Sequence, residues 1–350
     1  MATRGFAILR GGVSEAARAA ATAESLGYHS AWSPEFYTRS AIVSLAAMAQ
    51  ATTTIRIGSS IAYAVGRTPL VLATEARSLD ELSGGRLALG LGTGTTRMMA
   101  DWHGIDPAGP AARMEELLPL LRRLWQLHAG PVRHDGRFYH VDIAPTAEVT
   151  APARDRIPLF TAGVNPRMVQ AAGRAADGYL GHPLFTPRYF EEVVRPAVAA
   201  GAARGDRDPA DVEIAALVIC SVAADEEQAR REAAAQIAFY AVPRTYQKVL
   251  DVGGFAGVGE RVRAAFSQRD HAAMAAAVPD ELVDSAAAAG SLAQVARQLR
   301  LLSQVVDHVI VYPASFGMTA ERSQEVVADV LAAGAPGQEP AQSGLEPRAR

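Results

Sequence analysis

The chemistry this chain could perform is gathered in loops that follow short apolar runs. The clearest is Gly92-Thr93-Gly94-Thr95-Thr96, which leaves the run 86–91 without a bulky side chain. Glycines after a buried strand let a ligand approach the backbone closely, and in α/β proteins that is the end of the strand where ligands bind. Two more loops end in an N-cap residue followed by proline, Asn165-Pro166 and Thr186-Pro187. Free N–H groups at such helix starts suit phosphate or carboxylate. Ordinary capping explains either one alone, whereas two on one face favour an anionic, phosphorylated ligand. Other chemistries are poorly supplied. The eight histidines show no pairing of the kind a helix-borne zinc site needs, and Cys220 is the only cysteine, so neither a metal nor an internal disulfide is expected. There is no Gly-x-Ser-x-Gly elbow and no Walker loop, and Gly90-x-Gly92-x-Gly94 lacks the third spacing of a dinucleotide fingerprint.

Those loops must be positioned by something regular, and the pattern supplies it. Strand-like runs fall at 6–9, 28–33, 55–61, 86–91, 157–162, 177–181, 212–222 and 307–312. Helical stretches lie between them, at 13–26, 40–51, from Thr68-Pro69 to 83, 113–128, after each of the two N-cap–proline pairs, 225–240 and 319–333. The helix at 225–240 opens on an Asp-x-x-Gln capping pattern. A hairpin turning at Asp135-Gly136 interrupts the rhythm once. Eight strands alternating with helices predict an α/β fold, a (β/α)8 TIM barrel, as one domain over 1–333. The alanine-rich stretch 242–290 reads as a helical insertion between the seventh and eighth strands, roofing a cavity for a hydrophobic or bulky substrate. Residues 334–350 read as a disordered tail. In such a barrel the loops 35–39, 60–63, 92–96, 162–165, 182–186 and 313–317 should meet at one mouth.

Composition narrows the partners. Half of the side chains are hydrophobic (49%), 20% are charged and the net charge is −3, so nothing favours nucleic acid or an anionic membrane. No charged segment followed by an apolar one opens the chain, and no run reaches about 18 apolar residues. A cytoplasmic protein with a small-molecule substrate, no nucleic acid and no membrane partner is expected. Cys220 lies within the apolar run 215–222 and is expected to be a buried, inert thiol.

The run Asp80-x-Leu82-Ser83-x-Gly85-Arg86, continued by Leu89-Gly90-Leu91-Gly92, resembles the signature of the bacterial-luciferase-like superfamily. Arg113-x-x-Glu116, Leu124-Trp125 and Gly136-x-x-Tyr139 belong to the same pattern. Within it, Trp32-x-x-Glu35-x-Tyr37, Gly58-Ser59-Ser60-Ile61, Arg67-x-Pro69 and Gly92-Thr93-Gly94 are similar to the branch that uses the deazaflavin coenzyme F420. That branch includes methylenetetrahydromethanopterin reductase and the F420-dependent glucose-6-phosphate dehydrogenase, and the resemblance spans about residues 4–333. It implies an oxidoreductase that transfers a hydride between C5 of F420 and a C=C, C=N or C=O group. An FMN-dependent monooxygenase is the alternative, and a cofactor-binding protein without turnover is another.

The resemblance also implies a site. It places a non-prolyl cis peptide at Ser60–Ile61 behind the ring, Gly92-Thr93-Gly94-Thr95 along the cofactor, and Ala162, Gly163 and Val164 beside its ribityl and phosphate portion. Glu35 should touch the ring. Two positions depart from the branch: Thr95 stands where relatives often carry an acid, and Phe36 where several carry histidine. A threonine is no general acid near neutral pH, which leaves Glu35, Tyr37, His182 and His103 to exchange the proton. A sugar-phosphate pocket is not recognisable, and a homodimer is expected by resemblance to relatives.

Overall fold

The computed structural model describes residues 2–337. Its strands are short because each is an apolar run with both faces buried, the pattern of a parallel sheet covered by helices. They are β1 (Thr3–Ala7), β2 (Ser30–Ser33), β3 (Arg56–Ser59, resumed at Ala62–Tyr63), β4 (Leu87–Gly92), β5 (Leu159–Ala162), β6 (Gly178–Gly181), β7 (Glu213–Val222) and β8 (His308–Pro313). Every strand pairs in parallel with the next, and β8 pairs back onto β1 from Thr3↔His308 to Phe6↔Val311. The sheet therefore closes, and the expected (β/α)8 barrel is the fold. Around it lie α1 (Val13–Ser25), α2 (Ala41–Ala51), α3 (Pro69–Leu82), α4 (Pro110–Trp125), α5 (Pro166–Ala175), α6 (Arg195–Arg204), α7 (Glu226–Ala241) and α8 (Ala320–Gly334). No helix among the described residues is long and apolar enough to cross a membrane.

The charged residues of the sequence signature hold this frame together. Arg86 donates to the carbonyls of Ala49 and Thr52 at the end of α2, to Ile55 O just before β3, and to Ser83 O. Asp80, only 1% exposed, receives Arg154 through Nε and Nη2. Glu116 accepts from the N–H groups of Phe138 and Tyr139 and pairs with His134 at 3.0 Å, which pins the hairpin Val132–Asp135/His140–Ile143 to α4. Burial leaves the Cys220 thiol pushed up to about 12, as an inert core residue.

Several boundaries differ from the sequence reading, each for a local reason. Helix α4 begins at Pro110, ahead of the expected 113, because Gly109 supplies the left-handed turn (φ +65°) before it. At α7 the Asp-x-x-Gln box does not form. Asp225 accepts from the Glu227 N–H, and Gln228 bonds Glu232 instead. Thr186-Pro187 starts only one turn, Pro187–Tyr189, which widens into a π turn over Phe190–Val194 before α6. The stretch 242–290 holds a 3-10 turn, Arg244–Tyr246, and four α-helices, Gln247–Val252, Val258–Ser267, His271–Ala276 and Asp280–Ala286. Its last residues, Ala287–Gly290, are instead a strand on the outer half of β7, paired from Ile219↔Ala287 to Val222↔Gly290. Three alanines and a glycine lie flat there because every side chain is buried. Of the expected tail, Gly334 closes α8, and 338–350 lie outside the described residues.

One surface carboxylate ties α1 to β3. Glu24 accepts from the N–H groups of Thr53 (2.9 Å), Thr54 (2.6 Å) and Ile55 (2.8 Å). Burial alone would raise its pKa, but these bonds outweigh that and hold it at about 2, against an ordinary 4.5. A depressed carboxylate stabilises the fold above its unfolded pKa and stops doing so as pH falls through the folded one. Glu24→Gln should therefore cost about 1–2 kcal/mol at pH 7. It should also remove part of the acid-induced loss of stability between pH 4.5 and about 2. Thermal denaturation of both forms across that range checks it.

Candidate active site

The carboxyl ends of the strands open into one cavity of about 940 Å³. Going round the barrel, its lining divides into two halves of different chemistry. From β3 to β5 it is mostly backbone and small side chains: Ser60, Ile61, Gly92 to Thr96, and Ala162 to Asn165. From β6 to β8, with α7 over the top, it is aromatic with polar tips: His182, Gln236, Phe239, Tyr240, Tyr246 and Tyr312.

The first half is kept bare by the way β3 and β4 meet. Strand β3 leaves its ladder after Ser59 and rejoins at Ala62↔Leu91, and the Ser60–Ile61 peptide between is cis. Ser59 Oγ fills the gap, donating to Gly90 O at 2.7 Å and accepting from Gly90 N at 3.0 Å. A Cβ on Gly90 would fall 1.9 Å from Ser59 O, so no larger residue fits. One on Gly92 would come within 2.9 Å of Ile61 Cδ1, so the space facing Ile61 stays free only with glycine there. Ser60 Oγ is buried and has no hydrogen-bond partner among the described residues, although its residue lines the cavity.

Two helix starts open onto the same cavity, and one of them was not expected. Asn165-Pro166 begins α5 as the sequence suggests, and the Asn165 side chain makes no capping bond. The other is α4, whose Gly109, Pro110, Ala111 and Ala112 line the cavity without any side-chain cap. Thr186 is not the second: it is buried, spends its hydroxyl on the Tyr189 N–H and does not line the cavity. Glycine at an N-cap leaves no side-chain signature, so Pro110 was the only sign of the α4 start.

The four candidates for proton exchange come to lie in different surroundings. Glu35 lines the cavity, but Arg67 clamps it through two bonds (2.8 and 2.7 Å) and the Tyr63 N–H adds a third (2.8 Å). Its side chain is 9% exposed, and both oxygens are engaged. Tyr37 is 73% exposed and is not part of the wall. Its ring lies beside Phe36 (4.1 Å) and Trp102 (5.5 Å). His103 packs against Tyr63 at 5.0 Å, also outside the wall. Of the histidines, only His182 lines the cavity among the described residues. The Leu184 N–H donates to its Nδ1 (3.2 Å), which puts the ring proton on Nε2, assigned here from the network. Burial pushes its pKa down to about 3, so it is a neutral hydrogen-bond donor near neutral pH.

Neighbouring groups that the sequence reading did not single out complete this wall. His182 stacks on Tyr246 at 4.2 Å and meets Tyr240 edge-on at 4.9 Å. The hydroxyls of Tyr240 and Tyr312 bond each other, and burial raises both phenols, so both stay protonated. One donates to the other, and the second keeps its own O–H free. Gln236 accepts from the N–H groups of Ser315 and Phe316, both at 3.0 Å. Gln236, Phe239 and Tyr240 are spaced i, i+3, i+4, so one face of α7 carried the signal. Tyr246 and Tyr312 had none.

A closed (β/α)8 barrel with a half-bare, half-aromatic cavity at the carboxyl ends of its strands defines a barrel protein whose ligands enter at one mouth. The chain belongs to the luciferase-like monooxygenase family, whose profile matches residues 3–308. It is similar to an uncharacterized protein of Mycobacterium tuberculosis, 30% identical over 305 residues, covering 85% of this chain and 89% of that one. It is also similar to the 5,10-methylenetetrahydromethanopterin reductase of Archaeoglobus fulgidus, 26% identical over 311 residues (87% and 91%). In fold it matches the coenzyme F420-dependent tetrahydromethanopterin reductase from Methanopyrus kandleri, with a TM-score of 0.78 at 23% identity, covering 95% and 97%.

Proposed function

We propose that this protein is an oxidoreductase that moves a hydride between C5 of coenzyme F420 and a small organic substrate bearing a C=C, C=N or C=O group. The observation that carries the reading is the bare half of the cavity. Its wall has no side chain opposite Ile61, it holds an unpartnered Ser60 hydroxyl, and two uncapped helix starts open onto the same cavity. That fits a planar ring with a phosphorylated tail. Ser60, Ile61 and Gly92 to Thr95 would hold the ring, and Ala162, Gly163 and Val164 the ribityl chain. The N–H groups at Asn165–Pro166 and Gly109–Ala112 would meet the phosphate. The similar Methanopyrus protein is named as F420-dependent, which supports the choice of cofactor.

When bound, the reduced deazaflavin supplies the hydride, and the protein supplies orientation and polar contacts. Ile61 would back the ring. Glu35 acts as a positioning residue, since its carboxylate is tied to Arg67 and to the Tyr63 N–H. His182 faces the substrate side as a neutral donor, and the Tyr240–Tyr312 pair holds a second exchangeable proton of that wall. Thr95 hydrogen-bonds without acting as an acid.

The family's description as monooxygenases favours one other reading, an FMN-dependent monooxygenase. Anaerobic mixing with reduced F420 and aerobic mixing with reduced FMN separate the two. With the protein present, loss of reduced-F420 absorbance on adding a ketone, imine or activated alkene supports hydride transfer. Protein-dependent incorporation of oxygen into the compound with reduced FMN, and no F420 oxidation by any such compound, would replace it.

A further inference from the structure

The aromatic half of the cavity carries information about the substrate. Four charged residues line the cavity among the described residues, and three are already engaged. Glu35 is clamped by Arg67, Arg39 donates to the carbonyls of Ile8 and Gly11, and Arg167 is held by Glu115. The fourth, Arg10, is exposed and follows β1, the neighbour of β8, whereas among the described residues no charged side chain lines the cavity from β6, β7, β8 or α7. A carboxylate or ammonium pressed against that wall would lose water and gain no counter-charge from the wall itself, which is unfavourable.

The wall does offer hydrogen-bond donors set among rings. Among the described residues His182 Nε2–H has no protein partner, and the Tyr240–Tyr312 pair has one O–H to spare. Phe239 lies against Phe316 at 4.9 Å and Tyr246 against His182 at 4.2 Å, so the surfaces beside those donors are flat and apolar. Unpaired donors set among rings are satisfied by a neutral acceptor, and flat apolar faces by a ring or a compact hydrocarbon body.

We propose that this wall selects an uncharged substrate with an apolar, ring-sized body and one carbonyl or hydroxyl oxygen, and that His182 is the residue that receives the oxygen. Its catalytic meaning rests on the oxidoreductase reading above, whereas the binding preference belongs to the wall itself. His182 is thus a specificity-determining residue whose neutral, fixed tautomer makes it a donor only.

Ligand-observed NMR titrations of the full chain, with and without F420, test this using acetophenone, ethylbenzene and 4-acetylbenzoate. Acetophenone should bind at least about tenfold more tightly than ethylbenzene, which lacks the acceptor, and than 4-acetylbenzoate, which adds a charge. His182→Phe should bring acetophenone to within about threefold of ethylbenzene while ethylbenzene binding persists, which reports an intact cavity. His182→Gln, which keeps an N–H donor, should restore part of the preference. Equal or tighter binding of 4-acetylbenzoate overturns the proposal. So does equal binding of acetophenone and ethylbenzene to the unaltered chain, an unchanged preference in His182→Phe, or no binding of any of the three. If the expected order holds but F420 does not bind, this inference stands and the cofactor reading falls.

Discussion

Arg67→Met is expected to destabilise the protein by about 3–5 kcal/mol, because it strands a buried carboxylate. Glu35 is 9% exposed and takes both of its charge-assisted side-chain bonds from Arg67, which also reaches Glu75 at 2.7 Å. Removing the guanidinium leaves the Glu35 charge with only the Tyr63 N–H. The paired change Arg67→Met with Glu35→Gln should recover part of the loss, since no buried charge then remains. The same pair of residues decides what Glu35 does. A proton-exchanging Glu35 would lose turnover on conversion to Gln with little change in melting temperature. The clamped geometry predicts the reverse: a lower melting temperature, and a rate within about tenfold of normal at a temperature where the variant stays folded. Thermal denaturation and single-turnover oxidation of reduced F420, measured on the same preparations, distinguish the two.

Gly92→Val should cost about 10- to 100-fold in F420 affinity with only a few degrees' change in melting temperature. The new Cβ meets Ile61 Cδ1 at 2.9 Å and Cγ1 at 3.2 Å, so the isoleucine has to move into the space the ring would take. Because the obstacle is the far end of a side chain and not backbone, the barrel can accommodate it where the cofactor cannot. Gly90 is different, since its neighbour at 1.9 Å is the Ser59 carbonyl and a side chain there would push strand from strand. Adding Ile61→Ala to Gly92→Val should restore much of the affinity, as it removes the displaced group. Fluorescence titration of the three variants reads this directly.

The barrel was legible because it repeats. Each apolar run, helix start and glycine stop agreed with the next, and a closed parallel sheet is what eight such units can form. The bare half of the site was legible for the same reason. Glycines and threonines at a strand end restrict what can be there, so Gly92 to Thr95 and Ala162 to Val164 fell where their spacing put them. What could not be read was which polar group would find a partner. Glu35 stands at a strand end like a catalytic acid, yet Arg67, on the next βα unit, takes it up. Tyr37 follows by two residues and points to solvent. The α7 stripe of Gln236, Phe239 and Tyr240 becomes a wall only because the last turns of the helix are brought to the cavity, a tertiary event with a weak local signature. The Asp225 pattern shows the opposite failure, a good local motif whose glutamine was claimed by Glu232.

The central claim is that the bare half of the cavity is a deazaflavin site, and equilibrium titration of the purified protein tests it most directly. With oxidised F420 and FMN titrated separately and followed by cofactor fluorescence, F420 should saturate at micromolar concentration or below. FMN should bind at least about tenfold more weakly, and Gly92→Val should abolish the difference. Tight, saturable FMN binding with none for F420 would contradict the account.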